Sequence, residues 1–167
     1  MGSRGSVIPF FISKRDQGAS ELPITDMRMT RFNISLEAGV DLVMFAIGHH
    51  LGGEIFIPKI PSYKIGDVAT AIAPNIKQIE IGIRPGEKLH EEMITATDAL
   101  NTIDLGEYYA ILPSVSFKHQ KDEYIKHHNA VMVPEGFHYS SDSNDQWESV
   151  ESIREKIVEF VDPNFTV

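Results

Sequence analysis

Two hydrophobic periods alternate in short pieces along this 167-residue chain, and that alternation restricts its fold more than any other feature. Leu36, Val40, Val43 and Ile47 recur at spacings of four, three and four, which puts them on one face of a helix. Ser35 precedes them as an N-cap, Glu37 sits favourably in the first turn, and Gly48 ends the run. Residues 78–83 change to a period of two, with Ile79, Ile81 and Ile83 on one side of a strand. The same reasoning predicts helices over about 6–17 and 65–73, a short helix starting in 87–93, and strands over 21–25, 30–34 and 54–58. It also predicts a strand over 104–112 broken at Gly106. A closing amphipathic helix carries Trp147, Val150, Ile153, Ile157 and Val161. Between Ser114 and Asp145 both periods fade, so an irregular tail is expected there. Alternating strands and helices argue for an α/β fold. The convincing strands are few and scattered, which suggests the trailing part of a larger α/β protein.

Composition narrows the class of partner. The chain is 42% hydrophobic and 23% charged, as a soluble globular protein should be. Its formal charge of −9 disfavours nucleic acid and anionic membranes as partners. It does not disfavour an anionic small molecule, because screening over ~8–10 Å leaves the decision to local arginines. There are no cysteines, which excludes disulfides and thiolate metal sites and fits a cytoplasmic location. No apolar run approaches the ~20 residues of a membrane helix.

Three clusters could meet an anion. In Ile83-Arg84-Pro85-Gly86-Glu87-Lys88 a strand ends in a Pro-Gly turn. An arginine there can offer its planar fork to a phosphate, and a glutamate three residues on can accept bonds from ribose hydroxyls. A surface turn with a salt bridge is the simpler alternative. Arg28 and Arg31, three apart, could both meet a diphosphate or form a solvated basic edge. Gly2-Ser3-Arg4-Gly5-Ser6 precedes a helix, where free amides favour anions. Several signatures are absent. No Gly-x-Gly-x-x-Gly fingerprint and no Gly-x-Ser-x-Gly elbow occur, and no tyrosine has a lysine four positions later. His90-Glu91-Glu92 lacks the second histidine of a zinc-protease helix. The pairs His49-His50 and His127-His128 suit structural or surface roles.

Five segments in fixed order carry a resemblance: 2–11 (Gly2-Ser3-Arg4-Gly5-Ser6 onward), Leu22-Pro23-Ile24-Thr25-Asp26, Arg28-Met29-Thr30-Arg31-Phe32, 53–62 (Gly53-Glu54-Ile55-Phe56-Ile57-Pro58 onward) and 81–91 around Arg84-Pro85-Gly86-Glu87. Together they resemble the inverting UDP-N-acetylglucosamine 4,6-dehydratases, which are extended short-chain dehydrogenase/reductases of polysaccharide biosynthesis. The likeness runs over about 1–145. Asn33 stands where many of these enzymes have tryptophan.

The resemblance implies the C-terminal, substrate-binding portion of a Rossmann-type enzyme, with the dinucleotide-binding part lying upstream. Residues 1–20 would end the Rossmann portion, 21–145 would bind a UDP-sugar, and 146–167 would form a C-terminal helix. Arg84 and Glu87 would hold the UDP phosphate and ribose, and Arg31 would assist at the diphosphate. Glu21 and Pro23 would pass beside the uracil, and Gly2, Ser3 and Arg4 would touch NADP, Arg4 also the substrate. No catalytic residue and no metal ligand is expected in this stretch. The implied reaction is a lyase reaction. A hydride leaves sugar C4 for NADP⁺, a base takes the C5 proton, water leaves C6, and the hydride returns to C6 with inversion at C5. Such chemistry feeds modified-sugar pathways such as pseudaminic acid for flagellin. A cytoplasmic homo-oligomer is implied for the intact enzyme, and this chain alone is expected to be inactive. A non-catalytic UDP-sugar-binding module and an epimerase of the same superfamily are the alternatives.

Overall fold

The structure is a computed structural model that describes residues 6–115 and 119–167. In chain order the elements are α1 (Val7–Asp16), β1 (Glu21–Ile24), β2 (Thr30–Phe32), α2 (Leu36–His49), β3 (Ile55–Pro58), β4 (Ser62–Lys64), α3 (Ile65–Ile72) and β5 (Lys77–Glu80). They continue with β6 (Glu92–Ile94), β7 (Thr102–Asp104), β8 (Tyr108–Ile111), α4 (Lys121–His128), β9 (Val131–Met132), β10 (Tyr139–Ser140) and α5 (Val150–Phe160). This is the mixed α/β architecture that the alternating periods predict. The chain divides into two compact units, one of residues 1–35, 61–91 and 141–167, the other of 36–60 and 92–140.

In the first unit β1 and β5 pair in parallel, with Pro23 opposite Ile79. A parallel pair needs a long crossover, and the chain between them supplies it through α3. Alternate residues of β1, Leu22 and Ile24, are fully buried. They meet α3, whose Val68, Ala69, Ala71 and Ile72 are equally inaccessible, together with Phe11 of α1 and Ile153 and Ile157 of α5. Each of the larger side chains among them contributes about 1.5–3 kcal/mol through burial. Beside this core β2 and β4 pair antiparallel, with Arg31 opposite Tyr63.

α5 starts with a reciprocal cap. Ser149 Oγ accepts from Ser152 N–H at 3.1 Å, and Ser152 Oγ accepts from Ser149 N–H at 2.9 Å. Trp147 therefore lies outside the helix that the sequence assigns it to. The chain on either side of it is tied to Ser62: Ser62 N–H donates to Gln146 O at 2.9 Å and Glu148 N–H to Ser62 O at 2.8 Å. The indole stays 41% exposed, 5.9 Å from the Lys64 ammonium.

The second unit contains an antiparallel sheet in the order β3-β8-β7-β9. The strand expected over 104–112 with a break at Gly106 is a hairpin whose turn falls at that break. Gly106 (φ 91°) turns the chain back so that Asp104 pairs with Tyr109. Tyr124 of α4 is buried against this sheet with Ile103, Ala110 and Leu112, and its hydroxyl donates to Gly52 O at 2.7 Å. The stretch 114–145 thus holds α4, β9 and β10 rather than an irregular tail. Its polar composition hides elements that rest on one tyrosine and on backbone pairing. α2 also belongs to this unit, and none of its 14 residues is buried.

The short helix expected in 87–93 does not form. The backbone carbonyls of Lys88 and Leu89 are taken by the Arg31 side chain, Leu89 O also accepts from Thr30 N–H, and Glu91 O accepts from Ser141 N–H. Those partners hold the segment extended, and β6 follows from Glu92. Tertiary partners override a helix-favouring composition here.

Candidate functional site

A cleft of about 540 Å³ opens in the first unit, walled by the start of α1, the end of β1, β2, β4 and the loop after β5. Pro23, Arg31, Arg84 and Glu87 all line it. The local sequence explains how the last two are presented. Arg84-Pro85-Gly86-Glu87 forms a turn in which Glu87 N–H donates to Arg84 O at 3.0 Å and Gly86 has φ 86°. That is type II geometry, with proline where φ near −60° is wanted and glycine where φ is positive. The Glu87 carboxylate closes the loop by accepting from Arg84 N–H at 3.0 Å.

Three arginines that look alike in sequence have different fates. Arg28 is bound to Asp26, Nε to Oδ1 at 3.0 Å and Nη2 to Oδ2 at 2.7 Å, and it takes no part in the cleft wall. Arg28 lowers the Asp26 pKa to about 2, first through the guanidinium hydrogen bonds and then through the hydrogen bond from its backbone N–H. Arg31 is a cleft residue, yet its guanidinium is occupied by protein groups. Nη1 donates to Thr30 O at 2.6 Å and Leu89 O at 3.1 Å, and Nη2 donates to Lys88 O at 2.9 Å and the Met29 sulfur at 3.1 Å. Its Nε lies 3.7 Å from Glu91 Oε1. Arg31 thus brings positive charge to the cleft while tying the 88–91 segment to β2. Arg84 is exposed, and among the described residues no side chain pairs with its guanidinium. It is the arginine free to meet a ligand.

Other sequence-predicted residues lie elsewhere. Glu21 is not in the wall; it stands at the start of β1, 3.5 Å from the Lys77 ammonium. Asn33 is buried and donates to Glu148 Oε1 at 2.9 Å, a carboxylate also held by Ser152 and Lys156. The departure at position 33 thus serves an internal polar network. Gly2, Ser3 and Arg4 lie outside the described residues. Their neighbour Ser6 precedes α1 at the cleft, and its buried hydroxyl has no hydrogen-bond partner among the described residues.

The cleft also contains residues that motif reasoning passed over. Phe10 and Ile81 present exposed apolar surface to it, 43% and 48% accessible. Tyr63 lies opposite Arg31, and its pKa is pushed up to about 12, first by burial and then by the Glu91 charge, against a lowering by Arg31. The phenol therefore stays protonated near neutral pH. The strand partnership that brings Tyr63 to Arg31 has no local signal.

The histidine pairs do not join this site. In the second unit His128 and Glu54 form an inaccessible pair at 3.2 Å, with side-chain exposures of 3% and 0%. Burial alone would raise the Glu54 pKa; the N–H groups of Leu51 and Gly52 and the His128 ring together hold it below its ordinary value.

The site can thus offer one free guanidinium at a turn, a second cation held in place, a carboxylate, a neutral phenol and an apolar wall. That set suits a ligand with anionic and hydroxyl groups beside a flat or apolar part. Residues 1–113 match the family model described as polysaccharide biosynthesis protein, and the chain belongs to that family. It is 51% identical over 160 residues to the UDP-N-acetylglucosamine 4,6-dehydratase (inverting) of Campylobacter jejuni serotype O:2, covering 94% of this chain and 48% of that protein. It is 44% identical over 115 residues to the UDP-glucose 4-epimerase of Rickettsia canadensis, covering 66% of this chain and 33% of that one. The X-ray structure of Pen from Bacillus thuringiensis superposes with a TM-score of 0.76 at 32% identity, covering 95% of this chain and 47% of that one. The chain spans about half the length of the curated relatives it matches.

Proposed function

We propose that this chain is the nucleotide-sugar-binding portion of an inverting UDP-N-acetylglucosamine 4,6-dehydratase. The observation that carries this reading is the Arg84 guanidinium, unpaired among the described residues, at a Pro-Gly turn in one cleft with Arg31, Glu87 and Pro23. Arg84 grips the diphosphate through charge-assisted hydrogen bonds, worth about 1.5–3 kcal/mol. Arg31 adds positive potential at the same place. One Glu87 oxygen closes the turn, and the carboxylate offers its remaining acceptor capacity to ribose hydroxyls. Pro23 and the apolar wall flank the base, while Glu21 stands outside that wall at the start of β1. Residues 21–145 contribute the substrate portion, and 1–20 end the dinucleotide-binding one.

NADP would supply the hydride acceptor and donor that a 4,6-dehydration requires. Gly2, Ser3 and Arg4 would approach it. The Ser6 hydroxyl at the cleft, without a partner among the described residues, fits a polar group arriving there. The chemical steps belong to the remaining half of the enzyme, so this chain alone binds but does not turn over. We further place the intact enzyme as a cytoplasmic homo-oligomer supplying a modified sugar such as pseudaminic acid for flagellin. The 51% identity to a dehydratase over 94% of the chain favours dehydration over epimerisation.

A chimera tests this, with this chain replacing the matching half of the C. jejuni dehydratase. It should convert UDP-N-acetylglucosamine to a 4-keto product lacking the C6 hydroxyl. A folded chimera that instead yields the 4-epimer, or no product, sinks the dehydratase assignment.

A further inference from the structure

Tyr63 stands on β4 directly opposite Arg31 of β2, and both line the cleft of the first unit. The tyrosine is half-buried, with its ring packed against the hydrophobic core of that unit. Among the described residues its phenol oxygen has no hydrogen-bond partner. A tyrosine hydroxyl withdrawn from water usually finds one. The Tyr124 hydroxyl donates to Gly52 O at 2.7 Å, and that of Tyr139 to Ile60 O at 3.0 Å. Arg31, by contrast, has little bonding capacity left. A guanidinium carries five N–H groups, and the four on Nη1 and Nη2 are given to Thr30 O, Leu89 O, Lys88 O and the Met29 sulfur. Its Nε lies 3.7 Å from Glu91 Oε1, so a carboxylate also offsets part of its charge. An anion beside Arg31 therefore needs a directed donor from another group. Tyr63 has the position for it, and burial keeps it a neutral O–H at physiological pH. Ser6 and Thr25 also bring hydroxyls to the wall, but neither stands on the strand paired with Arg31.

We infer that Tyr63 is a specificity-determining residue of the cleft, its phenol donating to the second phosphate of a nucleoside diphosphate while Arg31 supplies the charge there. The inference rests on the nucleotide-sugar reading above. Arg84 and Glu87 share one turn, so a ribose held by the carboxylate puts the phosphate bonded to it at Arg84. The second phosphate, the one that bears the sugar, then falls to the β2–β4 pair, where Arg31 and Tyr63 stand side by side. Charge and hydrogen bond thus come from two residues at that place, whereas Arg84 provides both at the first phosphate. The arrangement favours a diphosphate over a monophosphate, because a monophosphate is served by Arg84 alone and leaves the phenol without an acceptor.

The test is titration of this chain and its Tyr63→Phe variant with UDP and with UMP, affinities being read from amide NMR shifts. Tyr63→Phe should weaken UDP roughly tenfold, as a lost hydrogen bond to a charged group does, and leave UMP within about twofold. The urea midpoint should not fall, because the hydroxyl has no partner among the described residues. A lowered midpoint would assign the hydroxyl to the fold and overturn the inference. Independently of any variant, the Tyr63 ring signals of the wild-type chain should move with UDP and stay in place with UMP. Unchanged UDP affinity in Tyr63→Phe, an equal loss for UMP, or ring signals indifferent to UDP would also overturn it. The two readings fail in different ways. UDP binding that depends on Arg84 but not on Tyr63 sinks this inference alone, whereas UDP that leaves residues 84–87 of the wild-type chain unmoved sinks the nucleotide-sugar reading and this inference with it.

Discussion

The carboxylate of Glu87 accepts a hydrogen bond from the backbone N–H of Arg84 at 3.0 Å, so the glutamate holds the turn that displays the arginine. The two residues therefore act as one device, with the carboxylate fixing the loop and the guanidinium reaching outward. Removing either should change ligand binding, but in different ways.

In the chimera, Arg84→Ala removes one charge-assisted contact made equally to bound substrate and transition state. KM should rise roughly ten- to hundredfold with kcat nearly unchanged. Steady-state kinetics on UDP-N-acetylglucosamine check this. A fall in kcat at constant KM would place Arg84 at the chemistry instead.

Gly86→Val should act only through the backbone. No atom lies within 4 Å of a side-chain carbon placed there, but φ 86° is strained for any residue with a Cβ. The cost is about 1–2 kcal/mol, carried by the turn. The expected outcome is a raised KM, with the urea midpoint lowered by no more than a loss of about 1–2 kcal/mol gives. An unaltered KM would show that the type II turn is dispensable.

Arg31→Lys should destabilise the first unit by about 1–3 kcal/mol, because an ammonium cannot reproduce a fork bound to three carbonyl oxygens. Urea denaturation measures it. A stability equal to wild type would mean that the fork does not hold the 88–91 segment.

Acid should act on the Asp26–Arg28 pair in a defined window. The folded pKa of Asp26 is about 2, below its ordinary value of 3.8, so its stabilising contribution is complete above the ordinary value. It is lost as pH falls from there through about 2. Asp26→Asn should therefore flatten the pH dependence of stability between about pH 4 and 2. Equal slopes for variant and wild type would contradict the pairing.

Much of this was legible in sequence, for identifiable reasons. Strands such as β1 and helices such as α3 bury a periodic set of apolar residues, so the period announces them. Arg84 and Glu87 stand out because a Pro-Gly pair leaves few options for the backbone around it. The segment after them was not legible. Lys88 to Glu91 has a helix-like composition, but it is held extended by Arg31 and Ser141, fifty or more residues away in sequence. Trp147 has the right spacing for α5, yet Ser149 starts the helix after it. Arg28, Arg31 and Arg84 could not be ranked, since only the fold shows which of them finds Asp26, which finds backbone oxygens, and which stays free. Long-range partners also brought Tyr63 to the cleft. The apolar stripe of α2 was read correctly as one helical face, while its exposure was not legible, because a period does not say whether a face is covered.

The central claim is that the cleft around Arg84 holds a nucleotide diphosphate. Amide NMR of the isolated chain during titration with millimolar UDP tests it most directly. Shifts should concentrate at residues 84–87 and at Arg31 and Thr25, saturate weakly, and vanish in Arg84→Ala. A spectrum that UDP leaves unmoved at those residues, or moves equally in the variant, would contradict it.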